Sequence, residues 1–470
     1  MTARVLFVAL LAAGGLVAGC ARAPRDAGFD DVRRAVRERA GRAVEWNTRL
    51  DDDGATGAAV REMLQRALSA DDAVQIALLN NRRLQAVYED LGIACADLVQ
   101  AGLLKNPVFE GQVRGSGGAA AALELTVVQD FLGIVLAPLR RRIAAADLEA
   151  AKSRVTAAVL DLAWETRTVF TRLQADVGEL AMHREMLEAA EAAYDVARRL
   201  HKAGNITDLD LAREKALYEE VKLATAAAEL AVEDGRERIN VLLGLHGQDT
   251  AWTPAPLRDL PKEEVDLTHV ERRAIEASLD VEIARRSAEA AARRLGVSRV
   301  EKLFEGAAVG ADAQREGGDW SAGPLLAVPI PLFDRGQGHV AAAQAELRRR
   351  WRDYTATAVE VRSAARAARN RLVAARQRAE YYAKVVVPLR ASITAETLLE
   401  YNAMQIGPIQ LLEARRAETE AQRQGVEALR DYWVARAEME QVLNGRMPKT
   451  GPAAAGARAA TTPSRGSDAH

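Results

Sequence analysis

The chain has 470 residues, 49% of them hydrophobic but only 4% aromatic, so its apolar content is mostly Ala, Leu and Val. That is the composition of long packed helices, not of a large aromatic core. The 64 basic and 66 acidic residues leave a net charge of −2, which argues against a protein that holds nucleic acid by electrostatics.

The N-terminus reads MTARVLFVALLAAGGLVAGC. Arg4 supplies a short positive region, and the apolar run Val5 to Val17 is too short to span a bilayer comfortably. Residues 1–19 are therefore read as a signal peptide. Val17-Ala18-Gly19-Cys20 resembles the bacterial lipobox, in which the cysteine is acylated and becomes the mature N-terminus; the alternative is a plain secretory signal. Ala21, where an Asp commonly retains lipoproteins in the inner membrane, implies the outer membrane. The other cysteine, Cys95, sits in an apolar helical stretch and reads as a small core residue with no disulfide partner.

Residues 20–68 form a charged, loosely patterned periplasmic segment. Ser69 or Asp71 then caps a helix, which Asn106-Pro107 breaks. Phe109, Gly111 and Val113 alternate with Glu110, Gln112 and Arg114; after a Gly-rich turn Leu123, Leu125 and Val127 alternate with Glu124 and Thr126. This is a hairpin of two half-polar strands. From just after Pro138 to about Leu200 no proline intervenes, and Leu148, Val155, Leu162 and Val169 recur every seven residues. Leu173, Leu180 and Leu187 resume that period after a four-residue step, the mark of a coiled coil with a local change of twist. A turn at KAGNITD leads to a second helix from Leu209 to about Leu243, and residues 247–266 read as a Gly/Pro linker.

The plan then repeats. A helix from about Leu267 to Leu295 precedes a second pair of short strands, where Leu326, Val328, Ile330 and Leu332 share a face and Pro329 and Pro331 confine the stretch to a strand end or an edge. A long helix from about His339 to Val385 follows, with Pro388 tolerated or kinking it, then a turn at 403–408 and a last helix to Leu443. The turn segments beginning at His201 and Tyr401 align at an offset of 200. The reading divides the chain into repeats at 69–246 and 267–446 and a low-complexity tail at 447–470, disordered by composition. The fold class is mainly α with a small β part and an internal duplication.

A secreted chain without a membrane-spanning helix is left with a closed barrel as its route through lipid. Two hairpins give four strands, too few to close one, so several copies must share a barrel with the long helices hanging from it. The helix–hairpin–helix duplication, QAGLLKNPVF, GPLLAVPIPLFDRGQG and the paired turns resemble the TolC family of outer-membrane efflux channels. YNAMQ, LLEARR and ALRDYWVARAE are similar to its heavy-metal members. The resemblance implies a homotrimer, a shared membrane β-barrel, a periplasmic helical tunnel, and partners in a periplasmic adaptor protein and an inner-membrane pump. It puts the adaptor-docking tips at Ala203, Gly204, Asn205 and Ile206 and at Met404, Gln405, Ile406 and Gly407. It puts the gate at Tyr401 bonded to Asp210, with Asp208 close enough to compete, and a carboxylate ring at Glu413. Gln410 departs from the second ring acid, and Ile406 from an expected basic partner. Gly204-Asn205 permits a left-handed turn at low cost, whereas Met404-Gln405 does not, so the break is expected later, at Gly407-Pro408.

On the residues alone, none of the six histidines has metal-ligand spacing, Gly336-Gln337-Gly338 lacks the rest of a nucleotide motif, and no G-x-S-x-G occurs, so no cofactor, no metal site and no enzymatic activity is expected. The competing reading is a coiled-coil outer-membrane lipoprotein acting as a tether, which the duplicated hairpins disfavour.

Overall fold

The computed structural model describes residues 26–47, 54–114, 122–303, 306–316, 319–330 and 332–448. The signal peptide, Cys20, the Gly-rich turn after Arg114, Pro331 and the tail beyond Pro448 lie outside the described residues.

The N-terminal segment holds α1 (Phe29–Ala40) and α2 (Gly54–Leu64); then follow α3 (Ala70–Asn80), α4 (Arg82–Gly102), β1 (Val108–Arg114), β2 (Ala122–Asp130), α5 (Phe131–Lys202) and α6 (Asp208–Leu243) of the first repeat. The second runs α7 (Val270–Ala277), α8 (Leu279–Leu303), β3 (Ala308–Glu316), β4 (Asp319–Ala327), α9 (Gln337–Tyr381), a π-helical turn (Tyr382–Val386), α10 (Val387–Asn402) and α11 (Pro408–Leu443). The chain is mainly helical with one small antiparallel sheet. Among the described residues no helix is long and apolar enough to cross a membrane.

Several boundaries differ from the sequence reading, each for a local reason. The segment before Leu68 is not patternless: in α1, Phe29, Val32 and Val36 recur at helical spacing and are buried, a stripe hidden among its charges. α5 starts at Phe131, seven residues before Pro138, which it contains. Each leading helix breaks in two. At the first break the Asn81 amide accepts from the Leu84 N–H at 2.9 Å, and at the second the Ser278 hydroxyl accepts from the Val281 N–H at 3.2 Å. Ser69 caps α3, in a capping box with Asp72.

The residues form two compact units, each drawing on both repeats. The first takes the described residues of Met1–Ala35, Ala86–Thr156 and Glu282–Ala356. It holds the whole sheet, in order β1-β2-β3-β4. Phe29 packs edge-on against buried Tyr88, with ring centres 5.0 Å apart, and Leu136 packs with Val297, Leu139 and Ile143. Cys95 is a buried free thiol, as its setting in the sequence suggested.

The second unit takes the described residues of Val36–Gln85, Ala157–Val281 and Thr357–His470. It contains two comparable cores, one per repeat: Phe170, Leu173, Ile239 and Leu243 in the first, Ala365, Leu372, Tyr432 and Met439 in the second. The linker is part of this packing. Trp252 stacks on Phe170 at 5.9 Å and donates to the Asn240 amide oxygen at 2.9 Å; the Tyr432 hydroxyl donates to Glu264 at 2.9 Å. Both return helices end the same way. The Gly244 N–H bonds back to Asn240 and Val241 and the Gly445 N–H to Val442, both glycines with positive φ, and a Cβ on them would collide with the Asn80 and Ala277 carbonyls respectively. The duplication therefore extends to where each return helix abuts the break in its leading helix.

Candidate functional site

Two features carry the geometry: the hairpin tips in the second unit and the sheet in the first.

At the first tip α5 ends with the N–H of Ala203 on the Arg199 carbonyl (3.1 Å), Gly204 on His201 (2.9 Å) and Asn205 on Leu200 (2.9 Å). The second tip repeats every bond 200 residues on: Ala403 on Leu399 (3.0 Å), Met404 on Tyr401 (2.9 Å) and Gln405 on Glu400 (3.0 Å). The pair of bonds spanning five and three residues is a Schellman ending, which needs a left-handed residue just past the helix. Gly204 fills that place at φ +76°, and Met404 fills it at φ +58°. The expectation that Met404 would avoid the left-handed turn is thus overturned. The closing bonds and the fixed register outweigh the cost of a Cβ in that region, about 1–2 kcal/mol. Met404 is 93% exposed, so packing does not explain its place.

The tips differ in how the next helix starts. Thr207 caps α6: its hydroxyl accepts from the Asp210 N–H at 3.2 Å and donates to Asp210 Oδ2 at 2.8 Å. The hydroxyl and N–H of Thr207 hold the Asp210 carboxyl below its usual range. His201 Nε2 lies 2.7 Å from Asp208 Oδ1, closing the first tip with a polar clasp. At the second tip Gly407 occupies the cap without a side-chain bond, Pro408 starts the helix and Gln410 stands where Asp210 stands in the first.

Within the protomer the predicted gate residues are not joined. Asp210 is engaged by Thr207, and among the described residues no hydrogen bond links it to Tyr401, which is 39% exposed. Glu413, Gln410 and Gln405 are exposed, and Ile406 and Gly407 are half-buried. Arg416 pairs with Glu214 of α6 at 3.5 Å; among the described residues no ion pair joins it to Glu413, which is exposed. Sequence reasoning missed Thr207, His201 and Glu214. The T-x-x-D spacing of a capping box was the available signal for the first; nothing local signals the other two.

The sheet is amphipathic. Phe109, Gly111 and Val113 stand opposite Val127, Leu125 and Leu123, which stand opposite Ala311, Ala313 and Arg315. Ala311, Ala313 and Val309 in turn face Pro324, Ala322 and Leu326. One face is thus almost wholly apolar, ending in Arg315 and Trp320. The other carries Glu110, Gln112, Arg114, Glu124, Thr126, Asp312, Gln314 and Ser321. Phe109 (66%), Val113 (69%) and Leu326 (71%) are exposed within the single chain, and β1 and β4 have no second neighbour among the described residues. Among the described residues the apolar face has two open edges, a surface that pairing with further strands would cover.

No family model matches the chain. It is 21% identical over 387 residues to the cobalt-zinc-cadmium resistance protein CzcC of Cupriavidus metallidurans, covering 80% of this chain and 90% of the relative. It is similar in structure to the outer membrane protein VceC of Vibrio cholerae, with a TM-score of 0.66 and 16% identity over 80% of this chain and 96% of that one. It is also similar to CusC, whose structures concern folding and transmembrane channel formation, with a TM-score of 0.64 and 14% identity over 80% and 92%.

Proposed function

We propose that this chain, which has the fold of the TolC-type outer-membrane channels, is the outer-membrane component of a tripartite efflux system. It is a passive tunnel that docks to a periplasmic adaptor and receives its substrate from an inner-membrane pump. The observation that carries the reading is the four-stranded sheet: largely apolar on one face, mostly polar on the other and, among the described residues, open at both edges. In hydrocarbon each unpaired edge group costs several kcal/mol, so the edges must pair with those of further copies. Three copies, as the family resemblance implies, would enclose a lumen lined by the polar face. A tether needs no such sheet. The relative named for cobalt, zinc and cadmium resistance supports divalent metal cations as the cargo.

The tips are proposed as both docking site and gate, supported by their matched endings and exposed Met404, Asn205 and Gln405. Glu413, exposed and not paired with Arg416, is proposed to line the narrowest point, where its copies would favour cations. Conductance of the purified protein in planar bilayers tests this. Tyr401→Phe with Asp210→Ala is expected to raise open probability, and Glu413→Ala to lower cation preference; unchanged conductance and selectivity in both would put the gate elsewhere. Cys20 is proposed as the acylated mature N-terminus, anchored at about 0.8 kcal/mol per buried methylene. Cys20→Ala is expected to abolish metabolic labelling with palmitate, and labelling that persists would refute the anchor.

A further inference from the structure

Where the sheet gives way to helices, the exposed side chains of the first unit change in a fixed order. The strands meet the helices at one level: Val108 opens β1 opposite Val128, Asp130 closes β2 opposite Ala308, and Ala308 pairs with Ala327 at the end of β4. Beyond Asp130, α5 packs Leu136 with Leu139, Ile143 and Val297. Helical spacing puts Ile134 (42% exposed) and Val135 (54%) away from that core, followed by Arg141 and Arg142, both exposed. Ile134 with Arg141, and Val135 with Arg142, lie seven residues apart. Each pair therefore shares a face, with the arginine about 10 Å further along the axis. The second repeat keeps the order: Val328, Ile330, Leu332 and Phe333 are exposed, and exposed Arg335 follows. The nearby carboxylates are taken. Asp130 accepts from the Gly133 N–H at 2.9 Å and lies 3.1 Å from Lys105, Asp334 accepts from the Gly336 N–H at 2.8 Å, and Asp147 pairs with Arg294 at 2.8 Å. Among the described residues no carboxylate pairs with Arg141, Arg142 or Arg335. Arg293 of α8 adds a third cation beside Arg142, donating to its carbonyl at 3.4 Å.

We propose that this level is a docking surface for anionic phospholipids of the periplasmic leaflet, with Arg141 and Arg142 on headgroup phosphates and Ile134 and Val135 among the first acyl methylenes. This rests on the reading of the sheet as part of an outer-membrane barrel. The order of side chains fits the step from hydrocarbon to headgroup, whose polar layer is about 5–8 Å thick on each side of a bilayer. An arginine here keeps its stem along apolar surface and its head in the polar layer. The guanidinium is always charged, and its planar fork matches two phosphate oxygens at once. Charge then selects among lipids. A zwitterionic headgroup sets an ammonium beside its phosphate and repels a second cation, whereas an anionic headgroup offers the phosphate alone. Lipid bound at this level would hold the root of α5, the longest helix of the chain, at the membrane surface.

Native mass spectrometry tests this on the full-length assembly released from nanodiscs of equal parts phosphatidylglycerol and phosphatidylethanolamine, counting the lipids that stay bound. Phosphatidylglycerol is expected to be retained over phosphatidylethanolamine by about tenfold. Arg141→Gln with Arg142→Gln is expected to bring the two lipids close to parity. Arg362→Gln with Arg369→Gln removes the same charge from exposed positions of the second unit and should leave the preference intact. Parity in the parent, or equal loss of preference in the two double variants, overturns the proposal. Should the first double variant not assemble, the single variants Arg141→Gln and Arg142→Gln are read in its place, each expected to lower the preference about threefold; no change in either overturns it. An excess of inorganic phosphate is expected to leave the lipid bound, since the acyl chains hold it too. Release by phosphate would reduce the surface to an anion site and overturn the lipid assignment. An assembly that neither inserts nor conducts refutes the channel reading and this surface with it, whereas one that inserts and conducts without lipid preference refutes the surface alone.

Discussion

Asp71 shows how single residues organise the second unit. Its carboxylate accepts from Arg42, from Arg167 at 2.8 Å, and lies 3.4 Å from Arg258, while Arg167 also reaches Glu440 at 2.8 Å. Burial alone would raise the Asp71 pKa, but the charges of Arg167 and Arg42 and the hydrogen bond from Arg42 outweigh it, so the carboxyl titrates below its ordinary range. A depressed folded pKa means that its stabilisation is fully present above the unfolded value of about 4 and is lost as pH falls through the lower folded value. Asp71→Asn is accordingly expected to lower the melting temperature at pH 7, and the gap from the parent protein to close progressively below pH of about 4. A gap that persists unchanged into acid would assign Asp71 a purely packing role. Much of this was illegible in the sequence, where Asp71 looked like a helix cap and Ser69 proved to be one. The partners come from 29, 96 and 187 positions away, and no spacing rule spans such distances. Met404 is the converse case. The sequence marked it as unsuited to a left-handed turn, and only the repeated bonding pattern discloses that the turn prevails over the residue.

At the scale of elements, periodicity was the readable signal. The alternation in β1 and β2 predicted which residues share a face, and the register places Phe109, Gly111 and Val113 beside Val127, Leu125 and Leu123. β3 and β4 alternate more weakly because Ala, Gly and Pro replace large apolar residues, yet the face continues through Ala311, Ala313 and Leu326. That face is expected to meet lipid and the other to meet water. Val127→Arg should therefore reduce assembled protein in the outer membrane, since a guanidinium near the bilayer midplane costs about 2–4 kcal/mol per chain. Thr126→Arg, one residue along and on the polar face, should assemble at close to the parent level. Equal loss for both substitutions would contradict the assignment of faces. The helix breaks at Asn81 and Ser278 were not readable because neither residue is a breaker. Each takes effect through the return helix, with the Asn81 amide donating to the Leu242 carbonyl at 2.8 Å and the Leu279 N–H to the Gly445 carbonyl at 2.8 Å.

For the whole molecule, the internal duplication was legible because both repeats keep the same order of long helix, turn and return helix. That both hairpins join one barrel followed from their open edges, but the direct pairing of β2 with β3 was not legible, since Leu125 opposite Ala313 joins residues with no local relation. Nor was the use of residues 247–266 as packing, which depends on Trp252 finding Phe170 and Asn240. One chain is proposed to be an incomplete channel whose sheet edges are completed by identical neighbours. Native mass spectrometry of the particle extracted from outer membranes, with the same preparation recorded in a planar bilayer, tests it most directly. The expected result is a three-chain mass that conducts. A conducting or stably membrane-inserted single chain would contradict it.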